Sequence, residues 1–165
     1  MNNTQPLAQI ECIELPWMIS TSVSNFQMTV VENGNCQLLL DTFWGHNVSE
    51  SQYRRVALEF SDVAATHYGV FRNDNERGGK EAFDWPNELS SPRNAQEFQD
   101  WFEAKAAKWE STGICPDPNF YRVTGSQWIA EYFEQPEHFL LCGCDAFIEI
   151  LALKFSWSEV GPLES

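Results

Sequence analysis

Apolar and polar positions alternate on either side of an Asn-Gly step early in the chain. Phe26, Met28 and Val30 alternate with the polar Gln27 and Thr29, and Cys36-Gln-Leu-Leu-Leu-Asp follows Asn33-Gly34-Asn35. An Asn-Gly step supplies the positive φ of a tight turn, so this stretch predicts a β-hairpin. In Arg55–Phe60, Val56, Leu58 and Phe60 share one face, and Ala65–Phe71 reads as a further strand. The period then changes. Phe98, Trp101, Phe102, Ala106 and Trp109 recur at steps of three and four, predicting a helix over 94–110 with its aromatic stripe in the core. Asn94 is its expected N-cap, with Glu97 three residues on, and Gly113 and Pro116 close it.

Phe120-Tyr-Arg-Val reads as a short strand. Thr124 or Ser126 is expected to cap a second helix through Trp128, Ile129, Tyr132 and Phe133, ended by Pro136. Residues 138–144 and 147–157 follow as strands. Phe147, Leu151, Leu153, Phe155 and Trp157 share a face interrupted by Glu149, while Ile148, Ile150 and Ala152 lie opposite. A strand apolar on both sides is expected at the centre of a sheet. Residues 72–93 show no periodicity, and form a long polar excursion in which Phe83 and Trp85 are expected to pin the chain to the body. The element order predicts a single domain over residues 1–165 of α+β class. Its expected architecture is an antiparallel β-sheet, or two small sheets, with two or three helices packed on one side.

Composition narrows the function. Ten Lys+Arg stand against 24 Asp+Glu, a net charge of -14, and the excess is spread as -5, -3 and -6 over residues 1–53, 54–111 and 112–165. Such a field repels nucleic acid and anionic lipid and speeds encounter with a basic protein. At 43% hydrophobic, with seven Trp and twelve Phe, the chain is too rich in core formers for a disordered acidic tail. The start carries no basic, continuously apolar leader, and no run of apolar residues reaches membrane-spanning length. Five cysteines, at 12, 36, 115, 142 and 144, make no disulfide framework. The expectation is a soluble cytoplasmic protein.

Three constellations could carry chemistry. His138, Cys142 and Cys144, with Cys115 and Asp117 nearby, hold zinc-type ligands, but Cys-x-Cys is not a knuckle spacing and no second pair follows. No metal or other cofactor is therefore expected. Asp145 and Glu149 could supply acid-base chemistry with His138, since a carboxyl on an apolar strand is perturbed by burial. The aromatic residues Trp44 and Trp85, with an acidic row at Glu131, Glu134 and Glu137, could anchor and steer a basic partner. No Gly-x-Ser-x-Gly elbow, Walker loop or dinucleotide fingerprint is present.

Over residues 115–152, Cys115-Pro-Asp-Pro-Asn-Phe-Tyr-Arg-Val, Ser126-Gln-Trp-Ile and Gly143-Cys-Asp-Ala-Phe-Ile-Glu-Ile-Leu-Ala together resemble small uncharacterised bacterial proteins. In these a Ser-x-Trp helix precedes a Gly-x-Asp…Ile-Glu-Ile-Leu-Ala strand pair. The resemblance implies an immunity-type role in toxin systems and carries over no functional residue. The leading expectation is a non-enzymatic acidic binding protein that masks a basic partner surface, with no nucleic-acid or membrane partner. The alternatives are a small hydrolase-like enzyme using Asp145, Glu149 or His138 in a pocket, and a structural or oligomer-forming protein.

Overall fold

The computed structural model describes residues 6–20, 26–45, 53–70, 81–86, 89 and 94–163. Eleven strands lie in these residues: β1 (Ala8–Cys12), β2 (Trp17–Ile19), β3 (Gln27–Val30), β4 (Cys36–Trp44), β5 (Tyr53–Ser61), β6 (Ala65–Val70), β7 (Phe83–Asp84), β8 (Phe120–Thr124), β9 (Glu137–Cys142), β10 (Ala146–Ala152) and β11 (Lys154–Pro162). They form a six-stranded sheet in the order β6-β10-β9-β8-β1-β7 and a five-stranded sheet, β11-β5-β4-β2, with β3 also paired to β4. Every pairing is antiparallel except β1 with β7.

The alternating residues of both sheets meet in one core. Leu38, Leu40, Val56, Leu58 and Phe60 from the smaller sheet pack on Phe120, Phe139, Leu141, Ile148 and Ile150 from the larger. This is a β-sandwich, in which each sheet hides its apolar face against the other. The larger sheet also buries its second face. There Ile10, Tyr121, Val123, Leu140 and Phe147 are covered by Leu89, Phe83 and Trp85. Trp85 stands edge-on to Tyr121 at 5.3 Å, so the described part of the 72–93 excursion packs on the body.

The α+β expectation is overturned. Among the described residues the protein is mostly β, with one α-helix, α1 (Ala95–Thr112), and a four-residue 3-10 helix at Trp128–Glu131. No helical layer covers a sheet, because α1 buries only Trp109. The second expected helix stops after one turn, where Tyr132 turns extended (φ -116°, ψ 132°), four residues before Pro136. Two strands near the start, β1 and β2, took no part in the expectation. The expected strand over 147–157 is two strands: β10 belongs to the larger sheet, β11 to the smaller, and the chain changes sheet at Leu153. Apolar residues on both faces mark β10 as covered on both sides, whereas β11 is largely exposed.

Local signals elsewhere match the observed elements. Gly34, at φ +82°, makes the turn joining β3 to β4, a conformation that a side chain disfavours. Asn94 caps α1 by accepting from the Glu97 N–H at 3.0 Å, and Gly113 closes it by donating to the Trp109 carbonyl at 2.8 Å. No described helix is long and apolar enough to cross a membrane.

Candidate functional site

The register of the larger sheet brings together residues far apart in sequence. Glu149 on β10 lies directly opposite His67 on edge strand β6 and opposite Leu140 on β9. His138 stands two residues from Leu140, on the diagonal that long side chains can span. Glu149 is 0% exposed, and a buried carboxylate needs donors. Two histidines reach it: Nδ1 of His67 lies 2.6 Å from its Oε2, and Nε2 of His138 lies 3.0 Å from its Oε1. Burial alone would push this carboxyl up. The hydrogen bonds from His138 and His67, with the favourable charge of both rings, outweigh it and hold the group below the ordinary carboxylate value.

The network continues outward. His138, also 0% exposed, places Nδ1 2.9 Å from Oγ of Ser126. Ser126 follows Gly125, whose φ of +72° turns the chain sharply out of β8 toward the 3-10 helix. The Ser126 hydroxyl in turn donates to Oε1 of Glu81, and the Gln127 N–H donates to the other Glu81 oxygen at 3.1 Å. Rings of Trp128 and Phe83, at 5.3 and 6.0 Å, wall His138 edge-on. The resulting chain is His67–Glu149–His138–Ser126–Glu81. A carboxylate only accepts and a hydroxyl carries one proton. With that proton given to Glu81, Nδ1 of His138 is the donor to Oγ.

Of the sequence-expected acid-base residues, Glu149 and His138 therefore meet. Asp145 does not join them, since it sits in the exposed turn between β9 and β10. The metal candidates are not gathered. His138 and Cys142 share a face of β9 but are four residues apart, about 13 Å along a strand. Cys144 is exposed in the turn, and the described residues hold no group of three metal-ligating side chains. Cys115 is buried, and burial pushes its thiol up to about 12. Among the binding candidates, Trp44 is half-buried, with Arg54 5.4 Å over its ring and Trp157 at 5.9 Å. Trp85 is held by Tyr121. Glu131, Glu134 and Glu137 do not form a helical row: Glu131 ends the 3-10 helix, while Glu137 opens β9 and pairs with Arg122 at 3.2 Å. His67, Ser126 and Glu81 were missed because only the sheet register and the strand-to-helix turn bring them to Glu149 and His138.

A second feature lies on α1. Its C-terminal half is anchored: Trp109 donates from Nε1 to the Pro16 carbonyl at 3.2 Å and meets Phe43 edge-on at 6.3 Å. Lys105 reaches Asp117 at 3.0 Å and lies 3.8 Å over the Trp101 ring. The N-terminal half turns Phe98 and Phe102 into solvent, while Trp101 is half-buried. Phe98 is 51% exposed and Phe102 43%, contrary to the expectation of a buried stripe, because α1 meets the sandwich only near Trp109. Phe102 also borders a cavity of about 190 Å³ floored by Met18, Phe43, Trp101, Ala106 and Trp109. No protein-family model matches the chain, and neither do curated proteins or solved structures.

Proposed function

We propose that this chain is an acidic partner-binding protein that docks a basic protein surface against the aromatic face of α1. One observation carries the reading: Phe98 and Phe102, stacked 6.4 Å apart, are exposed, and Phe102 borders the apolar cavity lined by Trp101 and Trp109. An exposed cluster of large aromatics beside a pocket is the usual make-up of an interface anchor. The polar side of the same helix carries Glu97, Asp100, Glu103 and Glu110, all exposed, on a chain of net charge -14. A partner that matches both features offers apolar side chains ringed by Lys and Arg. Such a surface belongs to proteins that act on polyanions, and covering it is what an immunity-type protein does for a toxin of that kind. The notable aromatic anchors are Phe98 and Phe102, in place of Trp85, while Trp44 and the acids at 131, 134 and 137 serve as outlying contacts.

The test compares wild type with a Phe98→Ser, Phe102→Ser double variant as bait at two ionic strengths. Raising salt from about 0.1 M to about 1 M shortens the screening length from about 10 Å to about 3 Å. A basic protein captured by wild type is expected to be lost with the double variant and weakened by salt. Capture that ignores both changes removes α1 from the interface.

A further inference from the structure

The polar chain through His138 has a geometry that partner binding does not use. A nucleophile needs a base within hydrogen-bond reach, and the base needs an orienting group. Ser126 Oγ is 2.9 Å from Nδ1 of His138, and the opposite nitrogen of that ring is 3.0 Å from the buried Glu149. The ring is used in the reverse sense from the familiar serine-protease arrangement, with Nδ1 toward serine. Such sites are recognised by roles and geometry, not by sequence order. His67 holds the second oxygen of Glu149 at 2.6 Å, which fixes the carboxylate in place.

We propose that Ser126, His138 and Glu149 form an ester-hydrolysing centre, and that the Glu81 carboxylate occupies it as a built-in plug. Ester hydrolysis leaves a carboxylate product. Glu81 lies as that product would, one oxygen on the nucleophile hydroxyl and the other on the N–H of the next residue, Gln127. That N–H is placed to donate to the oxygen of a tetrahedral intermediate. Trp128 and Phe83 give the surroundings an aromatic wall, which suits an apolar acyl group.

The reaction balances without any further cofactor. Once Glu81 is displaced, Nδ1 of His138 gives up to solvent the proton it held toward Oγ, and the Ser126 hydroxyl proton then passes to Nδ1 as Oγ bonds to the ester carbonyl carbon. The same proton then goes to the leaving alcohol oxygen as the carbon–oxygen bond breaks. Water next attacks the acyl-serine and gives one proton to Nδ1, which returns it to Oγ as the acid product leaves and loses its remaining proton to solvent. Glu149 orients the ring throughout and takes no proton.

The test uses a fluorophosphonate probe, in which Oγ displaces fluoride from phosphorus, on wild type and Glu81→Gln. The amide can still accept from Gln127 N–H through its oxygen, while its NH2 donates to Ser126 Oγ and leaves the hydroxyl proton for His138. Glu81→Gln is expected to label at Ser126, mapped by peptide mass spectrometry, and the label is expected to be lost in the Glu81→Gln, Ser126→Ala double variant, which lacks Oγ. Wild type is expected to label more slowly than Glu81→Gln. Glu81→Asp retracts the carboxylate by one methylene while keeping its charge, and is expected to give an intermediate rate, so it serves where the amide variant does not fold. A folded Glu81→Gln or Glu81→Asp that stays unlabelled overturns the proposal. So does label that persists in the Ser126→Ala background, or wild type labelling as fast as either variant.

Discussion

Replacing Glu149 by glutamine tests the buried network where it is most constrained. The native carboxylate accepts from His138 Nε2 at 3.0 Å and from His67 Nδ1 at 2.6 Å. An amide offers one oxygen and one NH2, so only one histidine can keep an acceptor. His138 is 0% exposed and cannot turn to water, whereas the His67 side chain is 37% exposed and can. The amide oxygen therefore faces His138, and His67 gives up its charge-assisted bond. Hydrogen bonds to charged groups contribute about 1.5–3 kcal/mol, and at this chain length each kcal/mol moves Tm by about 2–4 °C, so a fall of about 3–12 °C is expected. Glu149→Leu removes both acceptors, strands the buried His138 N–H and is expected to cost about 3–5 kcal/mol. The pH dependence has a definite sign. The folded carboxyl titrates below its ordinary 4.5, so its contribution is fully present above that value and disappears as pH falls through the folded value. Urea unfolding of wild type should thus lose stability more steeply below about pH 4.5 than Glu149→Gln does. A Glu149→Gln variant within about 0.5 kcal/mol of wild type at neutral pH, with the same acid slope, would refute the reasoning.

Gly69 on β6 lies opposite Phe147, whose ring occupies the space that a Cβ would need. Gly69→Ala is expected to destabilise the fold by about 1–3 kcal/mol in chemical denaturation, and a neutral result would mean that the ring sits elsewhere. Trp109→Ala empties the anchor of α1 and should cost about 3–5 kcal/mol, whereas Phe98→Ala, on the solvent face, should cost less than about 0.5 kcal/mol. Equal losses in the two variants would show Phe98 to be covered in the isolated chain. Of the five cysteines, Cys12 and Cys144 are exposed and Cys36, Cys115 and Cys142 are buried, so Ellman's reagent should titrate two thiols in the native protein and the rest only after unfolding. Rapid reaction at Cys115, whose thiol is pushed up to about 12, would contradict its burial.

What the sequence made legible was local. The Asn33-Gly34 turn and the Asn94 and Gly113 caps lie next to the elements they punctuate, and the alternation of Val56, Leu58 and Phe60 identifies an inward face without any partner. Glu149 stood out because a carboxylate in an apolar row demands compensation, but its donor His67 is 82 residues away and reaches it only through the pairing of β6 with β10. Ser126 and Glu81, 45 residues apart, meet for the same non-local reason. Periodicity located the aromatic side of α1 correctly and could not say whether anything covers it. The odd-numbered apolar row likewise ran through Leu153 without a break, although Phe147 packs on the outer face of the larger sheet and Phe155 on the core between the sheets, so the row changes face where the chain changes sheet. Helix capping signals were also over-read: Pro136 stops a helix, but the 3-10 turn at Trp128–Glu131 had ended five residues earlier.

The proposed docking face is tested most directly by placing a photo-crosslinking amino acid at Phe98 or Phe102 in the organism that encodes the chain. Val30, 67% exposed on β3 and paired with Cys36 at the opposite end of β4 from Phe43, the residue that meets Trp109, is the control position. The account predicts a light-dependent adduct with one basic protein at positions 98 and 102, none at position 30, and loss of the adduct when the neighbouring Phe is changed to Ser. Equal crosslinking at all three positions, or none at 98 and 102, contradicts it.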